Sequence, residues 1–421
     1  GLKLGAVAAI LAPALKEVVS GTVSGTLAAG RDGDEVDIML ASVKADGLII
    51  NHRFIDNAGF EFPPVSMSGD IGISIPDRTV RIKGVNVSSA GASLRFDGSL
   101  SRGGFWLDIT ARGLSPASAA KVVGGEELEG YDVEGAIDLN VRLLGDMKGD
   151  RKLSSVRLDG KISDLNQMSD RLDYLKKPFS YEFINDEGRQ IKVVVGASNP
   201  SFTPFSGIPR YFYGAVLTSE DAGFFGHKGL EFKEIESAMA DNLGGRQSMR
   251  GGSTITQQLA KNLFLSRDKT VVRKLREILL ALELEATLSK QRLLEIYLNG
   301  IEWGPGLFGI GAAARYYFGR PVSEITALEA VYLASVIPGP TRYHVFFSRN
   351  QIPEEWNARL HAVLERMYYF GYVTDSELAA SKGQQIVFAG RPGPVTLYGE
   401  KAAVPGMLDL PNNAPERINS R

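Results

Sequence analysis

The sequence predicts an α+β protein of more than one domain, an antiparallel β-rich part followed by a mainly α-helical part, and three observations carry the prediction. Its 421 residues exceed what a single hydrophobic core usually organises. From roughly residue 60 to 195 apolar residues recur at every second position, the period of a half-buried strand. After Pro200 the period becomes that of a helix buried on one face.

The chain begins with Gly1 rather than Met, so an anchor is expected upstream of this fragment. Leu4 to Leu15 is apolar but too short to span a bilayer, and it contains Pro13. It reads as the end of an anchor or signal segment, or as a first core helix. Strands are then expected at Val65/Met67/Ile71/Ile73/Ile75, Ala92/Leu94/Phe96, Phe105/Leu107/Ile109, Val133/Ile137/Leu139/Val141/Leu143, Val156/Leu158/Ile162 and Ile191/Val193/Val195. Turn chemistry separates them, as at 101–104 and Asn185-Asp-Glu-Gly188. Asn199-Pro200 to Ile208-Pro209 reads as a linker. In the helix expected over 270–288, Val271, Leu275, Ile278 and Leu282 join Val272, Leu279 and Ala286 on the apolar side, with Arg273, Lys274, Arg276 and Glu277 pointing elsewhere. The expected division is a β-rich domain over 1–200, a helical domain over 201–390 and a proline-containing tail over 391–421.

Composition narrows the chemistry. The formal net charge of −2 argues against a general nucleic-acid binder. The absence of Cys excludes thiol nucleophiles, disulfides and cysteine-ligated metals, and four His argue against a multi-histidine centre. Within the helical part, Glu220-Asp221 precedes Phe224-Phe225 and His227, which places carboxyls beside apolar surface where one can serve as a general base. The plainer reading is that the two acids favour a helix N-terminus. Thr254-x-x-Gln257 after Gly251-Gly252-Ser253 fits a capping box, and a helix N-terminus offers unpaired N–H groups to an anion. Between residues 246 and 276, Arg246, Arg250, Lys261, Arg267, Lys269, Arg273, Lys274 and Arg276 stand against Asp268 alone. A solvated helix face is the usual meaning of such a run, but one that follows a capped N-terminus fits phosphate better. Glu277 within it either pairs with Arg273 or orients the cations, and it is the candidate ligand for a metal near a diphosphate.

Taken together, Glu220-Asp221-x-x-Phe224-x-x-His227-x-Gly229, Gly252-Ser-Thr-x-x-Gln257-Gln258, Arg273-Lys274-x-x-Glu277 and Lys290-x-x-Leu-Leu-x-x-Tyr297-Leu298-Asn299 resemble the successive signatures of the family 51 peptidoglycan glycosyltransferases. Arg359-x-x-x-Val363-Leu364-x-x-Met367 approximates a fifth. Glu302-Trp303-Gly304 and 312–319 are especially similar to the monofunctional biosynthetic transglycosylases. The resemblance covers roughly 201–385. It implies a lysozyme-like helical fold and polymerisation of lipid II, the acceptor GlcNAc 4-hydroxyl displacing undecaprenyl diphosphate from the donor with inversion to a β-1,4 link. It further implies catalytic roles for Glu220 and Glu277. The substrate would be bound by Asp221, His227, Ser253, Thr254, Gln257, Gln258, Lys261, Lys269, Arg273, Lys274 and Asn299. A divalent cation, Mg or Mn, at Glu277 belongs to the same expectation, and no organic cofactor does. The implied partners are lipid II, the nascent strand, the membrane surface and other cell-wall synthesis proteins, at the outer face of a bacterial cytoplasmic membrane, with no nucleic acid. Two departures stand out: Ser237 replaces a common basic residue, and Lys269 replaces a common Arg, turning a bidentate contact into a point charge. Ser266-Arg-Asp-Lys269 and Ser348-Arg-Asn350 match transpeptidase patterns by chance, since no Lys-Thr-Gly accompanies them.

The glycine-punctuated strands, as in 128–140 and 156–162, resemble AsmA-like envelope proteins, whose strands form a curved sheet with an apolar inner face; a closed sandwich is the alternative. Two rival functions remain at this level. One is a lysozyme-like hydrolase or lytic transglycosylase, which needs no basic 246–276 stretch. The other is a non-enzymatic lipid-handling scaffold with a degenerate transferase domain, against which intact Glu220 and Glu277 argue.

Overall fold

The computed structural model describes residues 2–4, 18–147, 153–184, 190–243, 252–266 and 268–390. Most of the N-terminal apolar stretch, the turn at 185–188, Arg246, Arg250, Gly251, Arg267 and the 391–421 tail lie outside the described residues.

The strands of the β-rich part are β1 (Leu2–Lys3), β2 (Val19–Asp32), β3 (Glu35–Ile50), β4 (Phe60–Glu61), β5 (Val65–Ser74), β6 (Thr79–Ser89), β7 (Ala92–Leu100), β8 (Gly104–Leu114), β9 (Val133–Asp146) and β10 (Leu153–Gln167). They form one ten-stranded antiparallel sheet in the order β1-β2-β3-β5-β6-β7-β8-β9-β10, with β4 paired to the end of β3. Register explains the alternation seen in the sequence. Ala29, Ile38, Ile71, Ile82, Gly98, Leu107, Leu143 and Val156 stand opposite one another from strand to strand, which makes one face of the sheet apolar. The opposite face carries ion pairs such as Arg142–Asp108 at 2.5 Å. The described strands of this part therefore make a single open sheet, and the sandwich alternative does not hold. The sheet also starts earlier than the period-two signal. β2 is built mostly from Gly, Ser, Thr and Ala and is mostly exposed, so it lacks the apolar alternation that burial imposes. The strand at 191–195 belongs elsewhere: β11 (Phe179–Ile184) and β12 (Gln190–Val195) form a separate hairpin.

The helices, in chain order, are α1 (Pro116–Val123), α2 (Arg210–Glu220), α3 (Phe232–Leu243), α4 (Ile255–Phe264), α5 (Val271–Thr287), α6 (Lys290–Gly300), α7 (Ile310–Phe318), α8 (Ala327–Val336), α9 (Pro340–Ser348), α10 (Glu354–Tyr369) and α11 (Asp375–Ser381). Contacts gather the chain into two compact units, Gly1–Leu172 with His227–Thr287, and Asp173–Gly226 with Leu288–Arg421.

In the first unit the helical segment 227–287 packs on the sheet. Ile137 of β9, Leu230 and Leu282 of α5 form a buried cluster, against which Leu114, Ile162, Leu165, Phe232 and Ile278 pack. Close approach is possible because Gly160 faces the Phe232 ring, where a Cβ would lie 2.7 Å from ring carbons. Leu158 N–H of β10 also donates to Glu236 of α3 at 3.1 Å. The contacts thus divide the chain at different places from the change of period near 200, because helical period reports which face of a helix is buried and not what buries it.

The second unit has its own core. Phe212, Ala215, Val216 and Leu217 of α2 are fully buried, as are Tyr332 and Leu333 of α8. Trp303 stands edge-on to Phe212 at 6.0 Å and donates its indole N–H to Leu298 O at 3.2 Å, while Tyr317 OH donates to Trp303 O at 2.9 Å. Gly214 lets the Tyr372 ring lie against α2, since a Cβ there would meet it at 2.5 Å.

Candidate active site

The sequence-predicted residues divide between the two units, and each set has its own geometry. In the second unit, Glu220 is the last residue of α2 and is half-buried. The helix stops there because Asp221 leaves helical geometry while its N–H still reaches Leu217 O at 2.9 Å. Glu220 and Asp221 therefore sit at a helix C-terminus and not at the N-terminus that the plainer sequence reading offered. Carboxylates are electrostatically disfavoured at that end, so a structural preference for acids does not account for them. Both lie near Tyr297 of α6: burial raises its phenol well above the usual value, and the charges of Glu220 and Asp221 add to the rise. Phe224 is fully buried with the Lys290 ammonium 4.3 Å from its ring centroid, and the exposed Phe225 meets it edge-to-face at 5.3 Å. A cation–π anchor thus holds the loop that follows Glu220, and a buried phenol lies near its carboxylate. Asn299, expected at the substrate, is 2% exposed and engaged with backbone. Its Oδ1 accepts from Thr203 N–H at 2.9 Å, and its Nδ2 donates to Thr203 O at 2.8 Å and Glu295 O at 2.9 Å. These bonds make it a staple for the segment leading into α2.

In the first unit, His227 Nδ1 accepts from Gly229 N–H at 3.0 Å, so the buried ring orders the turn ahead of α3. Gly229 has φ +89°, a conformation that suits glycine, and its carbonyl accepts from the Thr254 hydroxyl at 2.6 Å. Thr254 also caps α4. Its Oγ1 accepts from Gln257 N–H at 3.2 Å, and its own N–H donates to Gln257 Oε1 at 3.0 Å, completing the expected capping box. Gln257 Nε2 and Arg273 Nε are enclosed without a hydrogen-bond partner among the described residues. One turn of α5 brings the charges together: Arg273 Nη1 donates to Glu277 Oε2 at 2.8 Å, and Lys274 Nζ donates to Glu277 Oε1 and to Ser253 Oγ, the latter at 2.9 Å. Ser253, Thr254, Gln257, Arg273, Lys274 and Glu277 therefore form one site, with Gln258 half-buried on the following position of α4. Lys261, one turn beyond Gln257 on α4, and Lys269, just ahead of α5, are exposed.

Not every member of the basic run faces this site. Arg276 turns away to donate to Gly124 O at 2.9 Å and to pair with Glu127 at 3.6 Å. Glu277 has both oxygens committed to cations, and among the described residues no group of three His, Asp or Glu could hold a metal ion. This donor set does not fit a protein-bound divalent cation. Sequence reasoning missed Glu283, which is fully buried in α5 and held by Arg171. A lone charge inside Ile278-Leu-Leu-Ala-Leu-Glu-Leu284 was the available signal; Arg171 itself gave none.

Comparison with known proteins gives the following. The transglycosylase family model matches residues 187–368. The chain is 55% identical over 136 residues to the biosynthetic peptidoglycan transglycosylase of Nitrosomonas eutropha, covering 32% of this chain and 56% of that protein. It is 50% identical over 153 residues to that of Nitrosomonas europaea, covering 36% and 61%. The one from Bordetella avium is 38% identical over 198 residues, covering 46% of this chain and 81% of the relative. The chain thus spans only 56% and 61% of the two Nitrosomonas proteins it matches. The ten-stranded sheet lies outside the family match, so its AsmA-like reading rests on the strand pattern alone.

Proposed function

The chain belongs to the transglycosylase family, and from that premise we propose that it polymerises peptidoglycan glycan strands from lipid II. The observation that carries the reading is the Glu277 carboxylate holding Arg273 and Lys274 together beside the capped start of α4. Two cations fixed against a buried acid, with a helix N-terminus nearby, suit a leaving group that accumulates negative charge as its bond breaks.

In this reading Glu220 accepts the proton of the acceptor GlcNAc 4-hydroxyl as its oxygen bonds to the anomeric carbon of the donor MurNAc. The bond from that carbon to the undecaprenyl diphosphate breaks on the opposite face, which inverts the anomeric centre. Arg273 and Lys274 take up the charge of the departing diphosphate, with Lys261 and Lys269 adding long-range attraction. Ser253, Thr254, Gln257 and Gln258 line the donor side, where the unpaired Gln257 Nε2 offers a donor. Asp221 and His227 order the loops about Glu220 and Thr254. A hydrolase acting on finished glycan would use a carboxyl pair but has no use for the Arg273–Glu277–Lys274 set. The substrate places the activity at the cell envelope, on the outer face of the bacterial cytoplasmic membrane, among other cell-wall synthesis proteins.

Incubating the purified chain with lipid II and resolving the glycan products tests the proposal. Polymer from the wild type and none from Glu220→Gln is the expected result. Equal polymer from both removes Glu220 as the base, and release of muropeptides from finished sacculi without polymerisation points to the hydrolase instead.

A further inference from the structure

Helix α5 carries Arg273, Lys274 and Glu277, and the β-rich part of the same unit grips it at three places along its length. At its start, Val271 and Val272 donate their N–H groups to the carbonyls of Phe54 and Ile55, at 3.0 and 3.1 Å, in the segment between β3 and β4. These are two of the donors that a helix N-terminus cannot satisfy within itself. One turn on, Arg276 Nε donates to Gly124 O at 2.9 Å, directly after α1. Two turns further, the fully buried Glu283 receives both arms of Arg171, from the segment after β10, at 2.9 and 2.6 Å. None of the three is needed to make a helix, because the Thr270 hydroxyl already accepts from Arg273 N–H at 3.2 Å as a local cap.

The angular placement of these grips gives them a meaning beyond cohesion. With 3.6 residues per turn, positions 272, 276 and 283 fall on one stripe of α5, and Arg273 and Glu277 lie on the next, about 100° round the axis. Gripping one stripe at the start, middle and end fixes both the rotation and the axial position of the other. A rotation of about 15° at a side-chain radius of about 5 Å moves a head group by more than 1 Å. Displacements of that size in groups that meet a reacting centre lower rates by about 100-fold.

We propose that the ten-stranded sheet serves as a positioning frame for the diphosphate-facing helix, with Arg171 and Arg276 acting as positioning residues through Glu283 and Gly124, and the 54–55 carbonyls setting the helix start. This rests on the transferase reading, so the test needs one readout independent of catalysis. In the full chain, Arg171→Met removes the last grip. Val271→Pro removes a donor at the first helical position, where proline is tolerated and the Thr270 cap survives. Arg142→Met breaks an exposed pair on the sheet far along the strands from α5 and serves as control. For each variant we would measure kcat and KM with lipid II, affinity for inorganic pyrophosphate by calorimetry, and the folded fraction.

The expected result is a kcat lowered 10-fold or more by Arg171→Met and by Val271→Pro, with KM within twofold, pyrophosphate binding weakened at least fivefold, and the control at wild-type level. Recovery of kcat in the reciprocal Arg171→Glu, Glu283→Arg double variant, against failure of each single exchange, adds support. An unchanged kcat per folded molecule in both Arg171→Met and Val271→Pro overturns the frame. If the wild type binds pyrophosphate without making polymer, the transferase reading fails alone, and the pyrophosphate ratios then support or overturn the frame. A wild type that does neither overturns both.

Discussion

Glu277 is only 3% exposed, yet it keeps two cations within hydrogen-bonding reach. Removing one member of a buried pair leaves the others uncompensated, which costs roughly 3–5 kcal/mol when the group is fully enclosed. Lys274 retains more than a third of its side-chain exposure, so water recovers part of that cost for it. Glu277→Gln keeps the shape and removes the charge that holds Arg273 and Lys274 in place. The expected outcome is a loss of polymerisation on the order of 100-fold in kcat, the size seen when one preorganised charge-stabilising donor is removed. Equal turnover in a lipid II assay would show that the cations hold their geometry without it. His344 offers a prediction of a different kind. Burial lowers its pKa to about 4, and its ring lies 3.0 Å from both Tyr316 OH and Ser348 Oγ. The unfolded chain binds a proton here near pH 6.5 and the folded chain does not until about pH 4, so stability falls as pH drops through this window. The loss amounts to roughly 3 kcal/mol by pH 4. Urea unfolding between pH 7 and 4 should show this slope, and His344→Gln should flatten it.

At the scale of elements, α4 and α5 show which features sequence patterns can carry. The Thr254–Gln257 capping box was legible because it is local: four consecutive positions contain the whole interaction. Replacing Thr254 with Val removes the cap and the bond to Gly229 O together. A loss of about 1–2 kcal/mol in thermal or denaturant unfolding is expected. The extent of α5 was legible too, but its faces were read incompletely. Leu275, placed by period on the apolar side, is 41% exposed, while Glu277, which the pattern turned elsewhere, and the charged Glu283 are both buried. The reason is physical: a carboxylate is buried when a distant cation meets it, and Arg171 is 112 residues away in the chain. Leu275→Lys should therefore change stability by no more than about 0.5 kcal/mol. Leu279→Ala should cost about 2–5 kcal/mol, and the two values from one denaturant series show which of the two leucines the core holds.

For the whole molecule, the distinction between strand-rich and helical halves was visible in hydrophobic period, and the chemistry of the site in short motifs. What stayed hidden was the partner of the 227–287 segment. Ile278 and Leu282 of α5 look like residues of a self-contained helical core, yet they pack with Leu230 against Ile137, Ile162 and Leu165 of the sheet. No local pattern names the surface a helix is buried against, so the change of period near residue 200 could not reveal which contacts cross it. This bears on how the chain can be cut. A fragment of residues 201–390 matches the helical half read from the sequence, but it strips Leu282 of its strand neighbours and leaves the fully buried Glu283 without Arg171. It also deletes the carbonyls of Phe54 and Ile55 from the start of α5. An uncovered apolar patch and an orphaned buried charge both act against that helix, whereas Phe212, Val216, Tyr332 and Leu333, the buried residues of α2 and α8, all remain in the fragment. The fragment should accordingly unfold in two steps, with the amides of 271–287 exchanging with solvent at least tenfold faster than those of α8. In the full chain, exchange of the 271–287 amides should slow by a similar factor. Equal protection of 271–287 in fragment and full chain would mean that the helical half supports α5 without the sheet.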